Sequence, residues 1–184
     1  MKKEVIFGAI LALFIIVFTF TVLTADENIA IKLAKRHSSI DSTSETEQLF
    51  EYFNHNAEVP EVFDEKEASH LRDVKHVIWG LRIALAILLL TLLLALKFID
   101  ISKTFKLGAV ICIVIAGLAA LAPFDKIFLW MHKLLFSGNW TFPTTSTLIQ
   151  YYPAAFFNAY YTIAGIIIAV LCTIFFIAGC IMKR

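Results

Sequence analysis

Four long apolar runs limit what this chain can fold into more than any other feature. They extend over Val5–Leu23, Val77–Leu96, Leu107–Ala122 and about Tyr160–Met182. A helix rises 1.5 Å per residue, so it needs about 20 apolar residues to cross the hydrocarbon core of a bilayer. The third run is short, and gains length if Thr104–Lys106 joins it with the long Lys106 side chain reaching out to the headgroups. Soluble domains are about 45–50% apolar. Here 59% of residues are hydrophobic and they are gathered in blocks, which points to a membrane rather than a large core. The reading is an all-α membrane protein with four transmembrane helices and a small helical extracytoplasmic cap.

The first run is read as a retained helix. Lys2 and Lys3 resemble the start of a signal peptide, but a signal's apolar region is about 7–15 residues and ends in a small-x-small site. This run is longer, and Leu23-Thr24-Ala25 fits such a site poorly. The expected divisions are a first span at 1–24, a cap segment at 25–76, a second span at 77–97 and a loop at 98–106. A third span at 107–122, a second cap segment at 123–159, and a fourth span with its tail at 160–184 complete the chain.

Short loops rich in Lys and Arg stay in the cytoplasm. Lys2, Lys3, Lys97, Lys103, Lys106, Lys183 and Arg184 all fall on one side of an up-and-down arrangement, so both termini are expected to be cytoplasmic. The opposite face receives the two cap segments, the first holding twelve of the fifteen acidic residues. Because charge is segregated, the net charge of +1 carries no information about partners. No basic stripe with interleaved aromatics appears, which argues against nucleic acid.

This topology sorts the reactive side chains. His37, His55, His70, His76 and His132 all lie on the cap side, while Cys112, Cys172 and Cys180 lie within spans. The cap therefore has neither a disulfide nor a thiol nucleophile, and its chemistry must rest on His, carboxylates, hydroxyls or Lys. Within it, Asp26–His37 reads as a continuation of the first helix. Ser44 with Glu47 and Asp64 with Glu67 match capping boxes. The first predicts a helix over Gln48–Phe53, the second a long helix from Glu65 to Lys97 whose first turns rise above the membrane. After Pro123, apolar residues from Phe124 to Leu135 recur at helical spacing, as in a helix lying in the interface.

No phosphate loop, nucleophile elbow or dinucleotide turn is present. His70 and His76 sit about 120° apart on a helix, which is poor for chelating one ion, so no metal is expected. Asp73 either orients the His70 imidazole or forms an ordinary surface pair with it. Arg82, just inside the second span, is either functional or snorkelling to the headgroups. His37 and His55 read as solvated. The aromatic cluster around Phe136, Trp140, Tyr151, Tyr152 and Phe156 is denser than an interfacial belt needs.

Two groups of residues carry a resemblance to a known family. They are Ala68-Ser69-His70-Leu71-Arg72-Asp73-Val74-Lys75, and His132-Lys133-Leu134-Leu135-Phe136 with Trp140 and Phe142. Leu148-Ile149, Tyr152-Pro153 and Phe156-Phe157 extend the second. Together they resemble the lipoprotein intramolecular transacylase family of bacterial membrane proteins. Leu135 and Ala154 depart from the family's usual Phe and acidic residue, which bears on substrate preference more than on reaction type.

The resemblance implies an enzyme of the bacterial cytoplasmic membrane acting on a diacylated lipoprotein within membrane lipid. It implies transfer of the sn-2 acyl chain from glycerol to the α-amino group of the N-terminal cysteine, giving the lyso-form lipoprotein. It also implies catalysis by two histidines, by position His70 and His132. For that reaction the residues themselves suggest Asp73 and Arg82 in support and the five aromatics as pocket walls. No cofactor is implied. The rival classes are a non-enzymatic lipid- or protein-binding scaffold, and a lipid hydrolase or intermolecular acyltransferase.

Overall fold

The computed structural model describes residues 2–55 and 57–182, so Lys183 and Arg184, used above for orientation, lie outside the described residues. Every regular element described is an α-helix: α1 Lys2–Leu23, α2 Glu27–His37, α3 Thr43–Asn54, α4 Glu65–Ala95, α5 Ile101–Leu121, α6 Phe124–Leu135, α7 Thr147–Tyr151 and α8 Ala154–Ile181. Four of them, α1, α4, α5 and α8, are long and apolar enough to cross a membrane. A spanning helix bonds its own backbone internally, which lipid demands. Its hydroxyls do likewise: Thr19, Thr91 and Thr173 each donate to the carbonyl four residues earlier.

The chain divides into two compact units. The membrane unit holds Met1–Thr21, Leu81–Pro123 and Ile163–Arg184. Its core joins Leu11, Ala12 and Ile15 to Ala109, Cys112, Ile168 and Cys172. Glycine lets α1 and α5 approach closely, as small residues do in membrane bundles. A Cβ on Gly108 would lie 2.7 Å from Leu11 Cδ2 and 3.0 Å from the Gly8 carbonyl oxygen. Gly108→Val is therefore expected to cost about 1–3 kcal/mol by overpacking. Gly117→Ala, whose Cβ would meet nothing within 4 Å among the described residues, should leave thermal unfolding in detergent unchanged. The third span is longer than its apolar run, because the Asp100 side chain accepts the Lys103 N–H at 3.0 Å and starts α5 at Ile101.

The cap unit holds Val22–Gly80 and Phe124–Thr162. Its core is built from Ala34, Leu49, Tyr52, Phe53, Phe63, Leu71, Ile78, Leu148, Tyr151, Tyr152 and Phe156. Two sequence expectations are corrected here. The chain does not run as one helix through Asp26–His37: a turn at Thr24 and Ala25 ends α1, and Asp26 caps a new helix by accepting the Ile29 N–H. Nor does Ser44 cap α3. Asp41 accepts both the backbone N–H and the hydroxyl of Thr43, so the helix starts earlier and Ser44 lies inside it.

The second capping box forms as expected. Asp64 Oδ1 accepts the Glu67 N–H at 2.8 Å, and Glu67 Oε2 accepts the Asp64 N–H at 3.0 Å. This fixes the start of α4. With 31 residues, the helix is roughly 46 Å long against a core of about 30 Å. Its charged first turns, Glu65 to His76, must stand outside the hydrocarbon.

Candidate active site

On α4, Glu67, His70, Leu71, Val74 and Ile78 share the inward face at helical spacing, whereas Arg72, Asp73 and His76 are exposed. Burial of the apolar neighbours carries His70 inward, to 6% exposure. On α6, Phe124, Phe128 and His132 repeat every four residues, and His132 is 8% exposed. The two imidazoles meet with ring centroids 6.1 Å apart and planes inclined by 26°.

Aromatic rings surround the pair. Phe136 is 4.8 Å from His70 and 5.3 Å from His132, centroid to centroid. Phe142 lies 5.5 Å from His70, Trp140 5.4 Å from His132, and Phe128 4.0 Å from His132. The chain folds back between these walls at Asn139, whose φ of 64° is left-handed. Asn tolerates that region better than most residues. The returning segment is tied to α4 by polar contacts. Asn139 Nδ2 donates to Ser69 Oγ at 2.8 Å, and Lys66 Nζ donates to the Thr141 carbonyl at 2.6 Å. Glu67 Oε1 accepts the Leu148 N–H at 2.8 Å.

The His132 ring has a defined proton arrangement. Its Nδ1 is 2.8 Å from the Phe128 carbonyl oxygen. A carbonyl only accepts, so Nδ1 carries the proton, and in the neutral ring Nε2 keeps its lone pair. Among the described residues, His70 Nδ1 is by contrast buried with no hydrogen-bond partner. Burial pushes the His70 imidazole down to about 4, the neighbouring His132 adds to the effect, and Asp73 opposes it weakly. Burial also lowers His132, against the upward pull of its bond to Phe128. Both rings are therefore neutral at pH 7.

A pH dependence of stability follows. The unfolded His70 titrates near 6.5 and the folded one lower, so the unfolded chain binds the extra proton first. The stability of the neutral state is complete above pH 6.5 and is lost as pH falls toward 4, by up to about 3 kcal/mol. Unfolding followed from pH 7.5 to 4.5 should show this loss, and His70→Phe should reduce it.

The sequence-derived candidates separate in space. Phe136 and Trp140 lie against the histidines. Tyr151, Tyr152 and Phe156 are buried in the cap core instead, where Tyr151 packs edge-on to Phe63 and Tyr152 meets Thr46 Oγ1. Thr46 spends its one hydroxyl proton on the Ser42 carbonyl, so Tyr152 is the donor in that pair. Among the described residues Asp73 makes no hydrogen bond to His70, and its side chain is exposed. Arg82 is half-buried in the membrane unit. His55 is exposed beside Glu51, at 3.5 Å. Among the described residues no group of three or more His, Cys, Asp or Glu is arranged to hold a metal ion. Sequence reasoning missed Phe128, Phe142 and the Glu67–Leu148 bond as parts of the site. Phe128 was readable, since it stands one helical turn before His132.

The family model for lipoprotein intramolecular transacylase Lit matches residues 5–157. No curated protein sequence matches. Among solved structures, the chain is similar to the membrane-integral lipoprotein intramolecular transacylase Lit from Bacillus cereus, with a TM-score of 0.77 at 17% identity, over 95% of this chain and 92% of that one. A histidine-to-arginine variant of the same Bacillus cereus protein superposes with a TM-score of 0.77 at 16% identity, over 98% and 90% of the two chains. At these identities the likeness establishes the fold.

Proposed function

The chain belongs to the lipoprotein intramolecular transacylase family, and from that premise we propose a specific reaction for it. The substrate is a lipoprotein whose N-terminal cysteine carries a diacylglyceryl thioether. The sn-2 acyl chain moves to the cysteine α-amino group, leaving the lyso-form lipoprotein. The reaction takes place on the extracytoplasmic face, with both termini in the cytoplasm. The observation that carries this reading is the pair of buried imidazoles 6.1 Å apart inside an aromatic enclosure.

The chemistry matches those residues. The amine nitrogen attacks the ester carbonyl of its own molecule. The ring formed contains N, Cα, Cβ, S, two glyceryl carbons, the ester oxygen and the acyl carbon, about eight atoms closed by orientation alone. The C–N bond forms, the C–O bond breaks, and one proton travels from nitrogen to the glyceryl oxygen. His132 Nε2 has the lone pair to accept that proton, because Nδ1–H is committed to Phe128. Two imidazolium rings at this separation repel, so the pair holds one proton at a time and delivers it to the leaving oxygen. Phe136, Trp140, Phe128 and Phe142 restrict the conformations of the headgroup and exclude water that would otherwise hydrolyse the ester.

The test is expression in a bacterium that makes diacyl lipoprotein. Fragmentation mass spectrometry of the N-terminal peptide then locates the acyl chain. An N-acyl cysteine is the expected product. An acyl chain still on glycerol, or a free fatty acid, sinks the proposal.

A further inference from the structure

Helix α6 has a second face, turned away from His132. Lys126, Trp130, Lys133 and Leu134 share it at positions i, i+4, i+7 and i+8. Trp130 and Leu134 are each 67% exposed. Both lysines are exposed too.

We propose that this face seats on anionic phospholipid, with Trp130 and Leu134 entering the acyl boundary and Lys126 and Lys133 pairing with the negatively charged headgroups. Continuity with the spanning helices supports a lipid occupant. Helix α5 ends at Leu121, and Phe124 opens α6. Three residues of chain reach about 10 Å at most, so α6 begins within the headgroup layer. A Trp beside a Leu is the side-chain pair that interfaces favour.

Charge selects the lipid class. Two lysines border the apolar residues along one edge of the face, and the acidic residue of α6, Asp125, lies about a quarter turn beyond them around the helix. A basic residue near an anionic surface contributes about a fivefold preference. Symmetric pairing with a second copy of this face would bring like charges together, which disfavours a dimer. Since His132 projects from the opposite side of the same helix, lipid contact here fixes how the helix carrying it sits in the interface.

The experiment uses the full chain in phosphatidylcholine vesicles containing a small, equal fraction of brominated phosphatidylcholine or brominated phosphatidylglycerol. The Trp130 signal is the fluorescence lost in Trp130→Phe. Brominated phosphatidylglycerol is expected to quench that signal several-fold more than brominated phosphatidylcholine. Lys126→Gln with Lys133→Gln should abolish the difference while quenching by both lipids persists. Helix content by circular dichroism checks that the variants fold. Equal quenching by the two lipids in the unaltered protein overturns the charge assignment. Absence of quenching by either overturns the lipid contact itself.

Discussion

His132→Ala is expected to lower the rate of acyl transfer by about 10²- to 10⁴-fold, the range supplied by one positioned general base. The attacking α-amino group has a reference pKa of about 7.7–8 and must lose a proton as the C–N bond forms. With the ring removed, water or the neutral His70 is left to take it, and His132 is the ring whose Nε2 is freed by its Nδ1–H bond to Phe128. His132→Asn separates chemistry from folding. Its amide can donate to the Phe128 carbonyl much as Nδ1 does, but it has no basic nitrogen. Both variants should therefore lose the N-acyl product, with His132→Asn unfolding close to the unaltered protein. His55→Ala and His76→Ala remove exposed rings and should stay within about twofold of full activity, the scale of surface changes. If His132→Asn kept its activity, base catalysis at this ring would be wrong and a scaffold role would gain ground.

The spans were legible because a bilayer imposes a length, and length survives in sequence. The extension of α4 was legible too, since no Gly or Pro interrupts the chain from Glu65 to Trp79 and a capping box opens it. The break at Thr24–Asp26 was not, because an Asp that caps a new helix looks in sequence like the first polar residue of a continuing one. At Ser44 the capping signal misled, because the helix already opens at Thr43, whose N–H and hydroxyl both donate to Asp41. The aromatic assignments divided for a related reason. Aromatic content announces burial but not the neighbour, so Trp140 and Tyr152 read alike, yet one packs on His132 and the other in the cap core. His70 and His132 stood out through motif resemblance. The depth of their burial did not, because His70 is enclosed by Phe136 and Phe142, rings that lie far away in the chain.

Glu67→Ala is expected to destabilise the cap unit by about 2–4 kcal/mol. The side chain is 1% exposed, and each of its oxygens accepts a backbone N–H. A hydrogen bond to a charged group contributes about 1.5–3 kcal/mol, and removing one partner leaves the other to bear its desolvation. The Leu148 N–H is buried and would be orphaned outright. The Asp64 N–H lies at an exposed residue where water can replace the carboxylate, so that bond costs less. Asp64→Ala, which removes the other half of the box, should cost about 1 kcal/mol, as caps do. Glu67→Gln should fall between, since an amide offers one acceptor and must turn its NH₂ toward a second donor. The effect should also reach the histidines. Glu67 precedes His70 by one turn and holds the segment that follows the Trp140 and Phe142 walls, so a freed α7 loosens the enclosure. At a temperature where Glu67→Ala is still folded, the acyl shift should slow by roughly tenfold, a loss of orientation rather than of proton transfer. Chemical unfolding in detergent gives the first number and peptide fragmentation over time gives the second. A stability within about 0.5 kcal/mol of the unaltered protein would show that Leu148 finds another acceptor and that the carboxylate does not hold the site together.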